Sequence, residues 1–149
     1  MKSSLYKRHI IMFIVMVIIG MLFNPMNILA YRLSDLYVSR TLFYGGLLMA
    51  SNMIWSHEIV HYLAMKHFNV FVFSFGIILS ICVSMVLLRK QLFVDDEQWL
   101  KRMISHHSTA LTSSHKIVGK TINTKLKKLA KEIIVTQERE IELMKSCYD

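Results

Sequence analysis

The alternation of hydrophobic and polar positions divides the chain into a long apolar part and a shorter amphipathic part. From Ile10 the sequence is apolar to about Tyr31, with a break at Asn24 and Pro25. A second apolar stretch covers 41–65, and a third, Val70–Leu88, contains no charged residue. A helix rises about 1.5 Å per residue, so about 20 apolar residues cross the ~30 Å hydrocarbon core of a bilayer. The pattern predicts an all-α protein with three transmembrane helices at about 10–31, 41–65 and 70–88, in a membrane region of residues 1–90. Lys2, Lys7 and Arg8 flank the first span, and Arg89 and Lys90 stop the third. Cleavage of a signal peptide after Ala30 would want a small residue where Ile28 stands, and further spans follow, so the first helix is expected to be retained.

After residue 90 the period becomes that of an amphipathic helix. Leu100, Met103, Ile104, His107, Ala110 and Leu111 form one stripe. Asp95 stands at the N-cap with Gln98 three residues on, and Asp96 and Glu97 suit the positive end of the helix dipole. This helix is expected over about Asp96–Val118, with Gly119 as its stop. Asn123 is placed to cap a second helix whose stripe is Leu126, Leu129, Ala130, Ile133, Ile134, Gln137, Ile141 and Met144. Residues 91–149 therefore read as a helical hairpin domain. Two helices alone bury a thin core, so completion of a four-helix bundle by homo-oligomerisation through the C-terminal helices is expected. The second helix opposes its own dipole, with Lys125, Lys127, Lys128 and Lys131 at its start and Glu138, Glu140 and Glu142 at its end. Folding back sets those acids beside Asp95–Glu97, where Arg89, Lys90, Lys101 and Arg102 can neutralise them, and gathers the lysines at the far tip.

The 149 residues carry a formal net charge of +8 and are 54% hydrophobic. The basic residues are not interleaved with aromatics, which argues against nucleic acid as a partner and for the lipid bilayer. Cys82 in an apolar run and Cys147 near the C-terminus are not expected to form a disulfide. The positive flanks balance on the two sides of a three-span arrangement, so charge does not orient the chain. The i,i+4 pairs Met12/Met16 and Met49/Met53 read as packing rather than a metal path.

Two constellations carry candidate chemistry. In the tail, Met103, His106 and His107 lie within one helical turn, and thioether with imidazole is a donor set that suits copper, Cu(I) above all. In the hairpin Met103 falls level with Glu138–Glu140, so Glu138 or Glu142 could complete a site. Packing is the competing reading, with Met103 and His107 in the core, His107 bonded to Gln137 and His106 in solvent. Trp99, Met103–Ile104–x–His106–His107 and Ala110, followed by Leu129–Ala130–x–x–Ile133–Ile134–x–x–Gln137–x–x–Glu140–Ile141–x–x–Met144, resemble the family of the domain of unknown function 305, in its membrane-anchored form. The resemblance covers about Asp95–Tyr148 and implies a ferritin-like helical bundle, with copper handling among some members. It adds Met144 to Met103, His106, His107 and Glu138 as metal candidates, and an exported, extracytoplasmic tail. One position departs, since Ser113 stands where a second methionine is often found.

The second constellation is His57–Glu58–x–x–His61, a literal H-E-x-x-H. On a helix its histidines share a face and can bind zinc, with the glutamate as general base. The run from His57 to Ala64 resembles the motif of intramembrane site-2-type proteases, which draw a third ligand from an Asp on a later helix. No Asp occurs between Asp35 and Asp95. The sequence thus reads as a multi-pass membrane protein with a transition-metal, first copper, site in its tail and a non-enzymatic role. A membrane-embedded zinc metallopeptidase using His57 and His61 is the alternative, and a purely structural interaction module is the third reading.

Overall fold

The computed structural model describes residues 2–148, with side chains from Lys7 onward; the side chain of Lys2, counted in the basic flank, lies outside the described residues. All regular structure among the described residues is helical, as expected. The chain forms two compact units, Met1–Asn24 with Arg40–Phe93, and Pro25–Ser39 with Val94–Asp149.

In the first unit, α3 (Arg40–Met65) packs against both α1 (Lys2–Leu22) and α4 (Val70–Cys82). Glycines set the spacing. A Cβ on Gly46 would lie 2.7 Å from the Val17 carbonyl oxygen, and one on Gly20 would lie 3.0 Å from the Gly46 Cα. On the other side of α3, a Cβ on Gly76 would lie 2.9 Å from the Trp55 nitrogen. Two buried serines find backbone partners. Ser51 Oγ donates to the carbonyls of Leu47 and Leu48, and Ser80 Oγ donates to that of Gly76 at 2.9 Å. The outward faces of α1 and α4 are apolar, with Ile10, Ile14, Ile18, Phe71, Phe75 and Ile78 all exposed.

Two stretches among the described residues are long and apolar enough to cross a membrane, Lys7–Ile28 and Val70–Leu88. The expected span at 41–65 is helical, but Asn52, Ser56, His57, Glu58 and His61 leave it outside that class. The first apolar run, expected as one helix to about residue 31, is broken in front of Pro25. The ring removes a donor and biases Asn24 away from the helical region, so the chain resumes as a single turn, α2 (Pro25–Ile28). The third run widens over Val83–Leu88 into a π-helical turn, in which Arg89 N–H donates to the Ser84 carbonyl at 2.9 Å. At this end Tyr44 Oη donates to the Leu92 carbonyl at 2.8 Å and Arg40 to that of Phe93, which ties the exit of α4 to the start of α3.

The second unit is the hairpin of α5 (Asp96–Lys120) and α6 (Thr124–Ser146). Both expected caps form: Asp95 Oδ1 accepts from Gln98 N–H at 3.0 Å, and Asn123 Oδ1 accepts from Lys125 and Leu126 N–H. Gly119 does not stop α5. It keeps a helical φ, and the helix continues through Lys120 to a cap at Thr121. Ile104, Leu111, Ile141 and Met144 form the core, with Tyr37, Leu100, Met103 and Ile134 packed against it.

The thin hairpin core has a third component, because the segment Pro25–Ser39 lies along the hairpin. Asp35, which the sequence presents as part of a polar connection, is fully buried. Its Oδ2 accepts from Ser108 Oγ at 2.8 Å, its Oδ1 pairs with Lys145 Nζ at 2.6 Å, and its carbonyl accepts from Ser105 Oγ at 2.9 Å. Ser108 Oγ in turn accepts from Tyr31 N–H at 2.8 Å. Arg32 faces Glu138 at 3.9 Å and Glu142 at 3.4 Å, which neutralises the acidic end of α6. Small serines on α5 let the strap approach closely, and their hydroxyls satisfy its backbone.

Two stability measurements follow. Gly46→Val drives a branched side chain into the α1 backbone and is expected to cost about 1–3 kcal/mol, seen as a lowered Tm of the detergent-solubilised chain. Gly45→Ala, whose Cβ would lie 3.7 Å from Asn24 Nδ2, serves as the unchanged control. Lys145→Ala leaves the Asp35 carboxylate buried without its cation. The expected loss is about 2 kcal/mol, below the ~3–5 of a fully buried pair because Lys145 is a quarter exposed. Hydrogen exchange of α5 and α6 reads it, and the Asp35→Asn/Lys145→Met double variant is expected to lose less.

Candidate metal centre

The H-E-x-x-H motif lies at the opposite end of the first unit from Tyr44 and Leu92. Lys66, at φ 56°, ends α3 in the left-handed region and turns the chain tightly into α4. That turn carries Asn69 back over α3, where Asn69 N–H donates to Glu58 Oε2 at 3.0 Å while Asn69 Oδ1 caps α4 through Val72 N–H at 3.2 Å. Glu58 is 5% exposed. A buried carboxylate in apolar surroundings needs hydrogen bonds and a counter-charge, and one backbone N–H is only part of that need.

The remaining groups at the site are imidazoles. His9, from the first helix, sets its ring edge-on to His57 with centroids 6.0 Å apart. One ligand atom from each of His9, His57 and Glu58 falls within a group whose members all lie within 4.8 Å of one another. His57 Nδ1 is shielded from solvent and makes no hydrogen bond, its distance of 3.9 Å to Glu58 Oε1 being too long for one. His61 stacks on His57 with centroids 6.1 Å apart, as i,i+4 spacing dictates. It is not in the three-residue group. Its Nδ1 donates to the His67 carbonyl at 3.0 Å, which leaves Nε2 with the lone pair. The cluster opens on a cavity of about 490 Å³ walled by Ile10, Phe13, Ile54, Val72 and Phe75.

Two imidazoles and a carboxylate are a donor set for zinc or another borderline divalent ion. At bond lengths near 2.1 Å, tetrahedral ligand atoms sit about 3.4 Å apart, so an ion would draw these groups together by at most about 1.4 Å. The orphaned Nδ1 of His57 and the buried Glu58 fit such an ion. His9 was not among the sequence candidates. Its signal was slight: one histidine at the border between the basic flank and the apolar run, with nothing local to say which helix it faces.

In the tail, the five predicted metal candidates lie in four different surroundings. Met144 is buried in the core with Ile104, Leu111 and Ile141, and Met103 packs against that core. Glu138 turns to Arg32. His107 Nδ1 lies 3.0 Å from Glu140 Oε2, close but off the line of a hydrogen bond, and the same Glu140 oxygen accepts from Gln137 Nε2 at 3.2 Å. The acid beside His107 is therefore Glu140 rather than Glu138. His106 is exposed, and its pKa is lowered by partial desolvation, then by the charge of Arg102 and by His107.

The first unit is a tightly crossed helical bundle with apolar outer faces and an inward His/Glu cluster, and the second is a capped, strapped helical hairpin. The model of the domain of unknown function 305 matches residues 87–148, which contain the hairpin. An uncharacterized protein of Acanthamoeba polyphaga mimivirus is 37% identical over 128 residues, covering 85% of this chain and 82% of that protein. The chain belongs to the domain of unknown function 305 family. No solved structure matches it.

A titration checks the electrostatics of the tail. His106 is expected to titrate below the ordinary 6.5. Because the unfolded chain takes up that proton first, the folded tail loses stability as pH falls from 6.5 through the lowered value. Histidine ring NMR reads the pKa, and Arg102→Met is expected to move it back upward.

Proposed function

We propose that this chain is a multi-pass membrane protein, with α1, α3 and α4–π turn as its three spans, which binds a divalent transition-metal ion between His9, His57 and Glu58. The observation that carries the reading is the convergence of those three ligand groups, from two helices, around a buried carboxylate and an unbonded imidazole nitrogen. The spans are supported by the apolar outer faces and by the burial of Ser51 and Glu58 on α3. Ionisable groups at membrane depth are costly unless they pair or bind, and a cation answers the charge of Glu58. Zinc suits the donor set first; copper, as Cu(II), is the second choice.

The role is binding rather than hydrolysis. A peptidase of the H-E-x-x-H kind needs His57 and His61 on one ion and a glutamate free to act as base. The arrangement instead favours His9 as the partner of His57, and gives Glu58 a fixed bond to Asn69 N–H.

Metal content of the detergent-purified chain tests this. The wild type is expected to hold a near-stoichiometric ion after zinc loading. His9→Ala and His57→Ala are each expected to weaken it by more than about tenfold, since even partners behind a ligand are worth about 10–100-fold. His106→Ala/His107→Ala is expected to leave it in place. Copper lost only with that tail pair would transfer the site to Met103, His106 and His107, and dependence on His57 and His61 together with activity abolished by Glu58→Gln would establish the peptidase.

A further inference from the structure

The tip of the hairpin combines charge and apolar exposure in a way that neither the fold nor the metal centre uses. From Ser105 to Lys131 the sequence contains no acidic residue, while Lys116, Lys120, Lys125, Lys127, Lys128 and Lys131 all fall there. All six side chains are exposed. The connection between α5 and α6 presents Ile122 at 101% exposure, the most exposed of the large hydrophobic side chains. Leu126 and Leu129, on the first turns of α6, are exposed at 39% and 52%. A Cβ on Gly119 beside them would meet nothing within 4 Å.

The charge pattern is also wrong for the helix that carries it. Lysines at the N-terminal end of α6 face the positive end of its dipole, a placement that costs some tenths of a kcal/mol each when exposed. Such a bias is relieved by an external anion. The apolar residues narrow the choice. Lys128 pairs with Glu132 at 4.0 Å, across two exposed side chains. A protruding isoleucine, two leucines and a cluster of six lysines beside that one acid are the elements of an interfacial segment, whose apolar groups enter the headgroup boundary while lysines meet anionic lipid. Nucleic acid would call instead for aromatic or arginine platforms, and the segment from Lys116 to Lys131 has neither.

We infer that the hairpin tip, Lys116–Lys131, docks on an anionic phospholipid surface, with Ile122 entering the headgroup layer. The asymmetry between the ends of α6 then has a use: Glu138 and Glu142 at its end face Arg32, while the exposed lysines at its start, Lys128 with its partner Glu132 among them, present a net positive charge to the lipid. This inference does not depend on the metal centre, which involves other residues in the other unit.

The test places the full chain in nanodiscs of neutral phosphatidylcholine and measures flotation with added vesicles. Binding is expected with vesicles containing phosphatidylglycerol and absent with pure phosphatidylcholine, and it should weaken steeply with salt. Lys125→Gln/Lys127→Gln/Lys128→Gln is expected to lose roughly a hundredfold in apparent affinity, at about fivefold per lysine near an anionic surface. Ile122→Ser is expected to lose about tenfold. These positions are exposed, so circular dichroism should stay unchanged. Equal binding to neutral vesicles, or affinity untouched by the lysine variant, would overturn the inference. So would capture of an RNA oligomer by the tip with no vesicle binding.

Discussion

The buried Asp35 carboxylate is the constraint on which the second unit depends. An ionised group removed from water must be repaid in hydrogen bonds and opposite charge, or the site will not form. Here Ser108 supplies a hydroxyl, Lys145 supplies the charge, and Ser105 holds the adjoining carbonyl. These partners come from both helices of the hairpin. A single aspartate thus fixes the position of the strap and also the register of α5 against α6. A hairpin with four fully or nearly buried apolar residues at its core has little hydrophobic driving force to spare. Directional interactions compensate, and they also specify one arrangement among the several that an apolar stripe would tolerate.

The first unit meets the opposite problem. Many of its apolar side chains face outward and only a few, Val17, Leu42, Ala50 and Val83 among them, are buried, so packing depends heavily on backbone proximity. Gly20, Gly46 and Gly76 allow that proximity, and serine hydroxyls return their bonds to the helix that carries them. Small residues at a helix crossing serve close backbone approach of this kind. Within such a unit Glu58 stands apart. It is neither small nor able to bond to its own helix, and its partner N–H is delivered by a turn that requires a left-handed lysine. Local strain of about 1 kcal/mol at Lys66 is consistent with a turn held in place by what it positions.

Much of this was legible in the sequence because it follows from local pattern. Asp95 with Gln98, Asn123, the apolar stripe of the hairpin and the break at Pro25 all act within a few residues of where they are read. Gly119 misled because a glycine near a helix end is only permitted, not required, to turn left-handed; with Thr121 able to take the cap, the helix ran on. Asp35 was unreadable for another reason. Nothing in Leu33–Ser34–Asp35 announces burial, since its partners lie at positions 105, 108 and 145. The serines of α5 were the available hint, a stripe of small residues on a face that a free-standing hairpin would leave polar.

The candidate metal centre shows the same boundary between local and distant information. H-E-x-x-H correctly places two imidazoles and a carboxylate on one helix, and the structure stacks the two rings as that spacing demands. A motif, however, fixes only which side chains share a face, and coordination is decided by what approaches that face. α1 crosses α3 at glycines that admit no Cβ, and the path of its backbone from Gly20 toward the N-terminus carries His9 to His57. Meanwhile the turn after Lys66 presents the His67 carbonyl to His61 and engages its Nδ1. The approach of His9 to His57 therefore depends on helix crossing, which is remote from the motif. The backbone crossing of α1 on α3 thus brings a histidine from outside the motif to His57 and Glu58.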